Sequence, residues 1–427
     1  MRRLALALAV VVAAALFAPL SASAATGNYV VVYRDGVTDV EALTTSLETT
    51  LGLRARFRYG AAIPGFAATL TDTQRLSLEA NPAIAYVARD IPVTAAGTTP
   101  IQSGETVPPG IRRIGAATLT DAHVSATPAV AVLDTGVDLK NADLNAVSGK
   151  NCVTTTAAAQ DDNGHGTHVA GTLAARNTGA AVIGVAPGTL VYSVKVLNSR
   201  SSGTLSQILC GVDWVTANAA GLNIKVANMS VLGSGANDNN CGNSNNDAWH
   251  KAICRSTAAG VTYVGAAGNG KVSFDKTIPA AYPEVLTATA VTDTDGRPGA
   301  IGGAPKCKSG EADDRYGTYS NWAVGATASS HTLAAPGTCV VSDKLGGGTA
   351  TYYGTSQAAP HVAGAVALCM GTAGSSGPCS GLTPSQAIAK VRADAAASAT
   401  TANGFAGDPL RPVTGRYYGY LVAAGGY

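Results

Sequence analysis

The sequence predicts an α/β fold of three layers with a mostly parallel central sheet, preceded by a small α+β domain. Three observations carry this reading. From about residue 111 onward, short and uniformly apolar strand candidates alternate with helical patterns, as a parallel sheet covered on both faces requires. Residues 28–93 show their own separate alternation of strand and helix signals. The composition is that of a tightly packed globule: of 427 residues 50 are glycine, 46% are hydrophobic and only 13% are charged, about half the usual share. That hydrophobic content excludes a disordered chain.

Along the chain, residues 1–24 read as a secretory leader. Arg2 and Arg3 open it, Leu4 to Leu20 form an apolar core broken by Pro19, and Ala22-Ser23-Ala24 supplies a cleavage site. A transmembrane anchor is the bland alternative, but the run is short and meets small residues rather than a charged stop. The first domain, residues 25–100, holds strands at Tyr29–Tyr33, Phe66–Leu70 and Ala83–Val87, with helices at Val40–Leu51 and Asp72–Ala80. The Thr/Gly/Pro-rich stretch Thr94 to Gly110 reads as an exposed linker, with the domain boundary inside 94–106. The second domain, 107–427, offers strands at Ala129–Leu133, Val191–Leu197, Ile224–Asn228, Val261–Ala266 and Val285–Val291. Its helical patterns lie at His165–Ala175, Ser206–Ala220, Asp247–Ala259 and Ser356–Met370. Thr383-Pro384-Ser385-Gln386 has the form of a helix start with a capping box.

Charge and cysteine usage narrow the function classes. With 29 basic and 27 acidic residues the formal charge is +2, and no basic patch is present to release counterions from nucleic acid. No other segment approaches membrane-spanning length without polar breaks, so no membrane association is expected once the leader is removed. All eight cysteines lie at or beyond Cys152. In an oxidising compartment they form up to four disulfides, and the absence of any CxxC pair argues against zinc. Cys369 and Cys379 bracket a Gly/Ser/Pro loop and are the first pair to expect; the other connectivities stay open.

In a parallel α/β sheet the carboxyl ends of the strands and the amino ends of the following helices share one edge. Four segments put reactive groups there. The strand Ala129–Leu133 runs into Asp134, Asp162–His168 opens a helix with His165, Tyr263–Asn269 ends a strand in a carboxamide, and Gly354–His361 opens a helix with Ser356. Acid, base, hydroxyl and amide donor are the parts that nucleophilic acyl transfer needs. Ser356 attacks, His165 takes and returns its proton, and Asp134 holds the imidazole. The Asn269 amide and the Ser356 N–H face the developing oxyanion. Each piece alone has a plainer reading. Asp-Thr-Gly is usually a turn, and an aspartic protease would need a second copy. His165 and His168 lack the spacing and the glutamate of a zincin, which leaves His168 as a structural helix residue.

At these residues the chain resembles the subtilases, and within them the secreted proteinase K-like branch. The matching segments are AVLDTGVD around Asp134, NGHGTHVAGT around His165, GAAGN ending at Asn269 and GTSQAAPHVAG around Ser356. GVAP at Gly184, VKVL at Val194, ANMS at Ala227 and YSNWA at Tyr319 add to them. The resemblance implies a subtilisin-like fold and a secreted, extracellular serine endopeptidase acting on polypeptides, monomeric, and needing no cofactor or metal for its chemistry. It also implies that residues 28–93 are an inhibitory propeptide and the protein a self-processing zymogen. Carried over residue by residue, it makes Asp134, His165, Ser356 and Asn269 catalytic and Ser230, Gly203, Ala266 and Gly268 substrate-contacting, with the Ser202-Gly203-Thr204 segment pairing as a strand with the substrate. Asp143 matches a structural calcium ligand of some members, completed there by the loop at Arg176–Ala180, which here has Thr178 where an amide or carboxylate oxygen is usual. The chain departs from the pattern in having Gln357 where Met is usual and Val231-Leu232-Gly233 where Leu-Gly-Gly lines the first specificity pocket. An esterase on the same site, and a non-catalytic binding protein on the same scaffold, are the alternatives. The second predicts a lost reactive residue, and all four are present.

Overall fold

The computed structural model describes residues 26–60, 63–90 and 98–427. The leader assigned to residues 1–24 and the beginning of the linker, 94–97, lie outside the described residues. The chain divides into two compact units, with the boundary between Thr94 and Ala95.

The first unit is a four-stranded antiparallel sheet with two helices. Its elements are β1 (Thr26–Tyr33), α1 (Val40–Leu51), β2 (Ala55–Tyr59), β3 (Gly65–Thr71), α2 (Asp72–Glu79) and β4 (Ile84–Arg89), in sheet order β2-β3-β1-β4. Asp39 caps α1 by accepting from the Ala42 N–H, and Thr71 and Gln74 close a capping box on α2. Val31, Phe66, Leu70 and Leu78 are fully buried in its core. Strand β2 was not expected, because its Arg56, Phe57 and Arg58 are all exposed and break the apolar alternation that marks a strand.

The second unit opens with β5 (Thr98–Pro100), α3 (Pro109–Arg113) and β6 (Asp121–His123). Residues 98–110 are therefore not a free linker, although Pro100, Gln102–Gly104 and Thr106 are exposed as expected. β5 pairs with β6, the Gln102 N–H donates to Asn177 Oδ1 at 2.9 Å, the Thr106 N–H donates to the Ala181 carbonyl at 3.1 Å, and Pro108 and Gly110 are buried. Gly and Pro here shape a segment whose partners lie about seventy residues away, a relation that local turn chemistry does not reveal.

The central sheet contains β7 (Ala129–Asp134), β8 (Ala146–Asn151), β9 (Val191–Lys195), β10 (Ile224–Met229), β12 (Thr262–Ala266), β14 (Val285–Thr292) and β16 (Thr332–Thr338). They run parallel in the order β16-β14-β12-β10-β7-β9-β8, and β15 (Arg315–Tyr316) pairs antiparallel with β14. Two short strands, β11 (Gly233–Ser234) and β13 (Thr277–Ile278), pair outside it, and β17 (Val340–Asp343) and β18 (Thr349–Tyr352) form a hairpin. The helices are α4 (His165–Ala174), α5 (Leu205–Asn218), α6 (Ala248–Ala258), the short α7 (Gly325–Ser329), α8 (Thr355–Met370) and α9 (Pro384–Ser398), the last with the expected capping box.

Alternate residues of β7 serve opposite layers. Val130 and Val132 belong to the same core as Val169 and Leu173 of α4 and Val362 of α8, whereas Ala131 and Leu133 belong to the core on the other face with Val212 of α5 and Ile253 of α6. Small residues let these layers close: a Cβ on Gly364 of α8 would stand 2.6 Å from that of Val185. All eight cysteines pair, as Cys152–Cys210, Cys241–Cys254, Cys307–Cys339 and the expected Cys369–Cys379. Among the described residues no helix is long and apolar enough to cross a membrane.

Candidate active site

Parallel strands bring Asp134 (end of β7), Ser230 (just beyond β10) and Asn269 (three residues beyond β12) to one edge, where α4 begins with His165 and α8 with Thr355-Ser356. Asp134 is fully buried and its Oδ1 lies 2.7 Å from His165 Nδ1. The same oxygen accepts the Thr135 N–H at 2.7 Å. Close packing enforces the approach: a Cβ on Gly166, the second residue of α4, would collide with the Gly136 carbonyl oxygen and stand 3.0 Å from the Asp134 Cβ. Burial of the His165 ring opposes its protonation, but the charge and hydrogen bond of Asp134 outweigh this, with Asp161 adding to them. The net effect holds the imidazole pKa above its ordinary 6.5.

Ser356 is half-buried in the first turn of α8. Its Oγ donates to the Ser230 carbonyl at 3.3 Å, and no hydrogen bond joins it to His165 among the described residues. Longer, looser contacts between nucleophile and base are normal without substrate. The backbone around the serine is held by a less obvious device. Pro360 has no N–H, so the Ser356 carbonyl four residues earlier lacks its intrahelical donor. The Ser230 hydroxyl supplies the missing bond at 2.8 Å, and Asn228 Nδ2 in turn donates to that hydroxyl at 3.0 Å. Sequence reasoning assigned Ser230 to the substrate and missed this second role; the proline in the SQAAP run was the available signal.

Asn269 is exposed and oriented. Its Oδ1 accepts both the Thr355 N–H at 2.9 Å and the Thr355 hydroxyl at 3.1 Å. A backbone N–H can only donate, so the atom facing it is the oxygen, and Nδ2 is the outward donor. Ser356 N–H, at the start of the helix, has no partner among the described residues. Gly354 just before it approaches the amide so closely that a Cβ there would stand 3.3 Å from Asn269 Nδ2.

The remaining assigned residues divide. Gly203 and Ser230 line one cavity of about 500 Å3 together with His165, Leu197, Val231, Trp249 and Ile278. Gly203 is exposed and its backbone N–H and C=O have no partner among the described residues. Ala266 and Gly268 are elsewhere. Ala266 is fully buried in the sheet opposite Ala288, and Gly268 spends its N–H on Thr355 Oγ1 (2.9 Å) and its C=O on the Asn321 N–H (2.8 Å). Gly268 thus shares Thr355 with Asn269 rather than presenting free backbone, and Ala266 belongs to the sheet. His168 is buried, stacked on Tyr352 at 4.3 Å, and desolvation lowers its pKa to about 4, as a structural residue requires. Gln357 is also buried. A larger cavity of about 810 Å3 between Arg112, Lys390 and the C-terminal residues contains none of the reactive groups.

Asp143 sits in a second acidic centre, buried with Asp343 beside the half-buried Glu105. Thr178 uses its hydroxyl to donate to Asp143 Oδ1 at 3.2 Å, and the N–H groups of Thr178 and Gly179 donate to Glu105 Oε2. One oxygen of each carboxylate, Glu105 Oε1, Asp143 Oδ2 and Asp343 Oδ2, is buried without a partner. Burial raises the pKa of all three, and the charge of Asp143 adds to that on Asp343. Hard cations such as calcium take carboxylate oxygens, but among the described residues the acidic oxygens gathered closely enough to share one ion are those of Asp293, Asp295 and Asp313, not this set.

The subtilase family model, peptidase family S8, matches residues 125–411. Subtilisin amylosacchariticus of Bacillus subtilis subsp. amylosacchariticus is 33% identical over 321 residues, 74% of this chain and 72% of the relative. Alkaline elastase YaB of Bacillus sp. (strain YaB) is 36% identical over 296 residues, 68% of this chain and 65% of the relative. Among solved structures, a cold adapted subtilisin-like serine proteinase superposes with a TM-score of 0.53 at 29% identity, covering 74% of this chain and 97% of that one. With a family match over more than half its length and a subtilisin-like parallel sheet, the chain belongs to the subtilase family and is a serine endopeptidase acting on polypeptides.

Proposed function

We propose that this subtilase works through Asp134, His165 and Ser356 by way of an acyl-enzyme, and that it is made as an exported, self-processing zymogen. The observation that carries the mechanism is the 2.7 Å Asp134–His165 bond at the edge where α8 presents Ser356. As Ser356 Oγ bonds to the substrate carbonyl carbon, His165 takes its proton, and the adjacent buried carboxylate stabilises the resulting imidazolium. The carbonyl oxygen becomes an oxyanion between Asn269 Nδ2 and the Ser356 N–H. Collapse expels the amine, which takes the proton from His165; water then repeats the sequence to release the acid and restore the serine. Gly203, with its free backbone groups, pairs with the extended substrate, whose side chains enter the cavity walled by Val231, Trp249 and Ile278.

Two measurements test this. Asn269→Ala removes one oxyanion donor and lowers kcat by about 10²–10³, the loss known for such a donor in subtilisin, with KM little changed; a kcat within twofold of wild type would remove Asn269 from the mechanism. Activity on a peptide amide falls as pH drops through the His165 pKa, because only the neutral ring accepts the Ser356 proton. Since the pKa is raised, the acid limb of kcat/KM lies above pH 6.5. Full activity at pH 4.5 would contradict a histidine base.

Four disulfides support export, since such bonds persist in oxidising compartments. Residues 28–93 serve as intramolecular inhibitor and folding aid, and the maturation cut falls within 94–106. A cut on the N-terminal side of Gln102 is the reading supported by the bonds that Gln102, Glu105 and Thr106 make to the 177–181 segment. No cofactor enters the chemistry. Asp143, beside the loop 176–180, would be a ligand of a structural calcium ion, whose charge would offset the repulsion between Asp143 and Asp343.

A further inference from the structure

A third buried carboxylate stands at the reactive edge, and the acyl-transfer steps above leave it unused. Asp161 is 4% exposed, and five donors converge on it. Its Oδ1 accepts the Thr135 hydroxyl at 2.8 Å, the Asn163 N–H at 2.9 Å and the Gly164 N–H at 3.0 Å. Its Oδ2 accepts the Thr167 N–H at 3.0 Å and the Thr167 hydroxyl at 2.5 Å. The two threonines pass the link on: Thr135 Oγ1 accepts the Gly166 N–H at 3.0 Å, and Thr167 Oγ1 accepts the Asp138 N–H at 3.0 Å. Thr135 follows Asp134 in the chain, and Gly164 and Gly166 flank His165.

We propose that Asp161 is a positioning residue for peptide hydrolysis: it ties the loop leaving β7 to the first turn of α4, and so sets the distance and orientation of His165 against Asp134. This rests on the reading of Asp134, His165 and Ser356 as the catalytic set. Two physical arguments favour a role beyond folding. The hub spans both members of the acid–base pair, through Thr135 beside Asp134 and through Gly164 and Gly166 on either side of His165, so its loss displaces the ring relative to the carboxylate. A displacement of about 1 Å in such a pair is enough to cost on the order of a hundredfold in rate. Its negative charge also acts through low-dielectric surroundings on the same imidazole, in the same sense as Asp134. The other charged or titratable groups packed at this edge are already engaged. Lys195 of β9 donates to the Thr135 and Leu197 carbonyls and to Asp162. Asp138 accepts from Gln160 Nε2 and from the Lys140 and Gly346 N–H groups. His168 of α4 and His361 of α8 are buried rings with pKa values lowered to about 4 by desolvation.

The test compares Asp161→Asn and Thr135→Val with wild type in kcat, KM, the pH profile of kcat/KM and thermal melting, with rates normalised to titrated active sites. Asp161→Asn keeps the side-chain shape and removes the charge. It lowers kcat by at least about tenfold with KM within about twofold, and moves the acid limb to lower pH. Thr135→Val breaks the link to Gly166 but keeps the charge, so kcat falls while the acid limb stays in place. An unmoved acid limb in Asp161→Asn, or a kcat per titrated site equal to wild type, overturns the proposal. If Asp161→Asn yields no folded protein, Thr135→Val decides, and wild-type kcat there overturns it. Failure of the underlying reading shows separately, as turnover by Ser356→Ala.

Discussion

Ser356→Ala lowers kcat on peptide substrates by on the order of 10⁶ and leaves the expressed chain at full length. The size follows from what the hydroxyl does: without it no acyl-enzyme forms, and His165 has no proton to move. The small rate that persists over uncatalysed hydrolysis comes from Asn269 and the Ser356 N–H acting on a water-derived oxyanion. Substrate binding survives, because the cavity holding Gly203, Val231 and Trp249 does not depend on the Ser356 side chain, so KM stays close to wild type. Progress curves on a chromogenic peptide give kcat, and intact mass of the purified chain reports maturation. A Ser356→Ala protein that still matures unaided would exclude self-processing, and one that still turns over peptide would exclude the serine as nucleophile.

Asp134→Asn lowers kcat by about 10⁴ near neutral pH. Asp134 is fully buried, so its charge is poorly screened and stabilises the imidazolium strongly as Ser356 gives up its proton. The amide removes that charge. It also faces a conflict: the Oδ1 position already receives the Thr135 N–H and lies 2.7 Å from His165 Nδ1, so an NH2 placed there meets a donor, while one placed at the Oδ2 position is buried without an acceptor. Stopped assays across pH give the loss, together with a shift of the remaining acid limb to lower pH, since the main group raising the His165 pKa is gone. A kcat within tenfold of wild type would show that the imidazole needs no buried carboxylate partner.

Much of the fold was legible because the signals are local. Runs such as Ala129–Leu133 and Val285–Val291 are apolar throughout, and the structure makes them central strands of a parallel sheet. Strands with mixed signals escaped. β8 is an edge strand with Val147 and Ser148 exposed and Lys150 half-buried, and β16 carries Pro336 and Gly337, which ordinarily argue against a strand. The segment 98–110 has the composition of a loop and on that signal reads as a linker. Its partners, Asn177 and Ala181, are found only once the chain has folded back.

The reactive site shows the same division. Residue type and chain order were enough to place Asp134, His165, Asn269 and Ser356 at one edge, because strand–helix alternation alone dictates which ends of a parallel sheet meet. Angstrom-scale relations were out of reach of any local pattern. The Asp134–His165 contact depends on Gly166 touching Gly136, the orientation of Asn269 depends on Thr355 some eighty-six residues away, and the serine's backbone leans on Ser230 because Pro360 withholds a hydrogen bond. The pairing of six of the eight cysteines and the Asp161 hub belong to this second class. Side-chain chemistry is written residue by residue, whereas distances between groups far apart in sequence are set by how the layers pack, and only the folded chain holds that information.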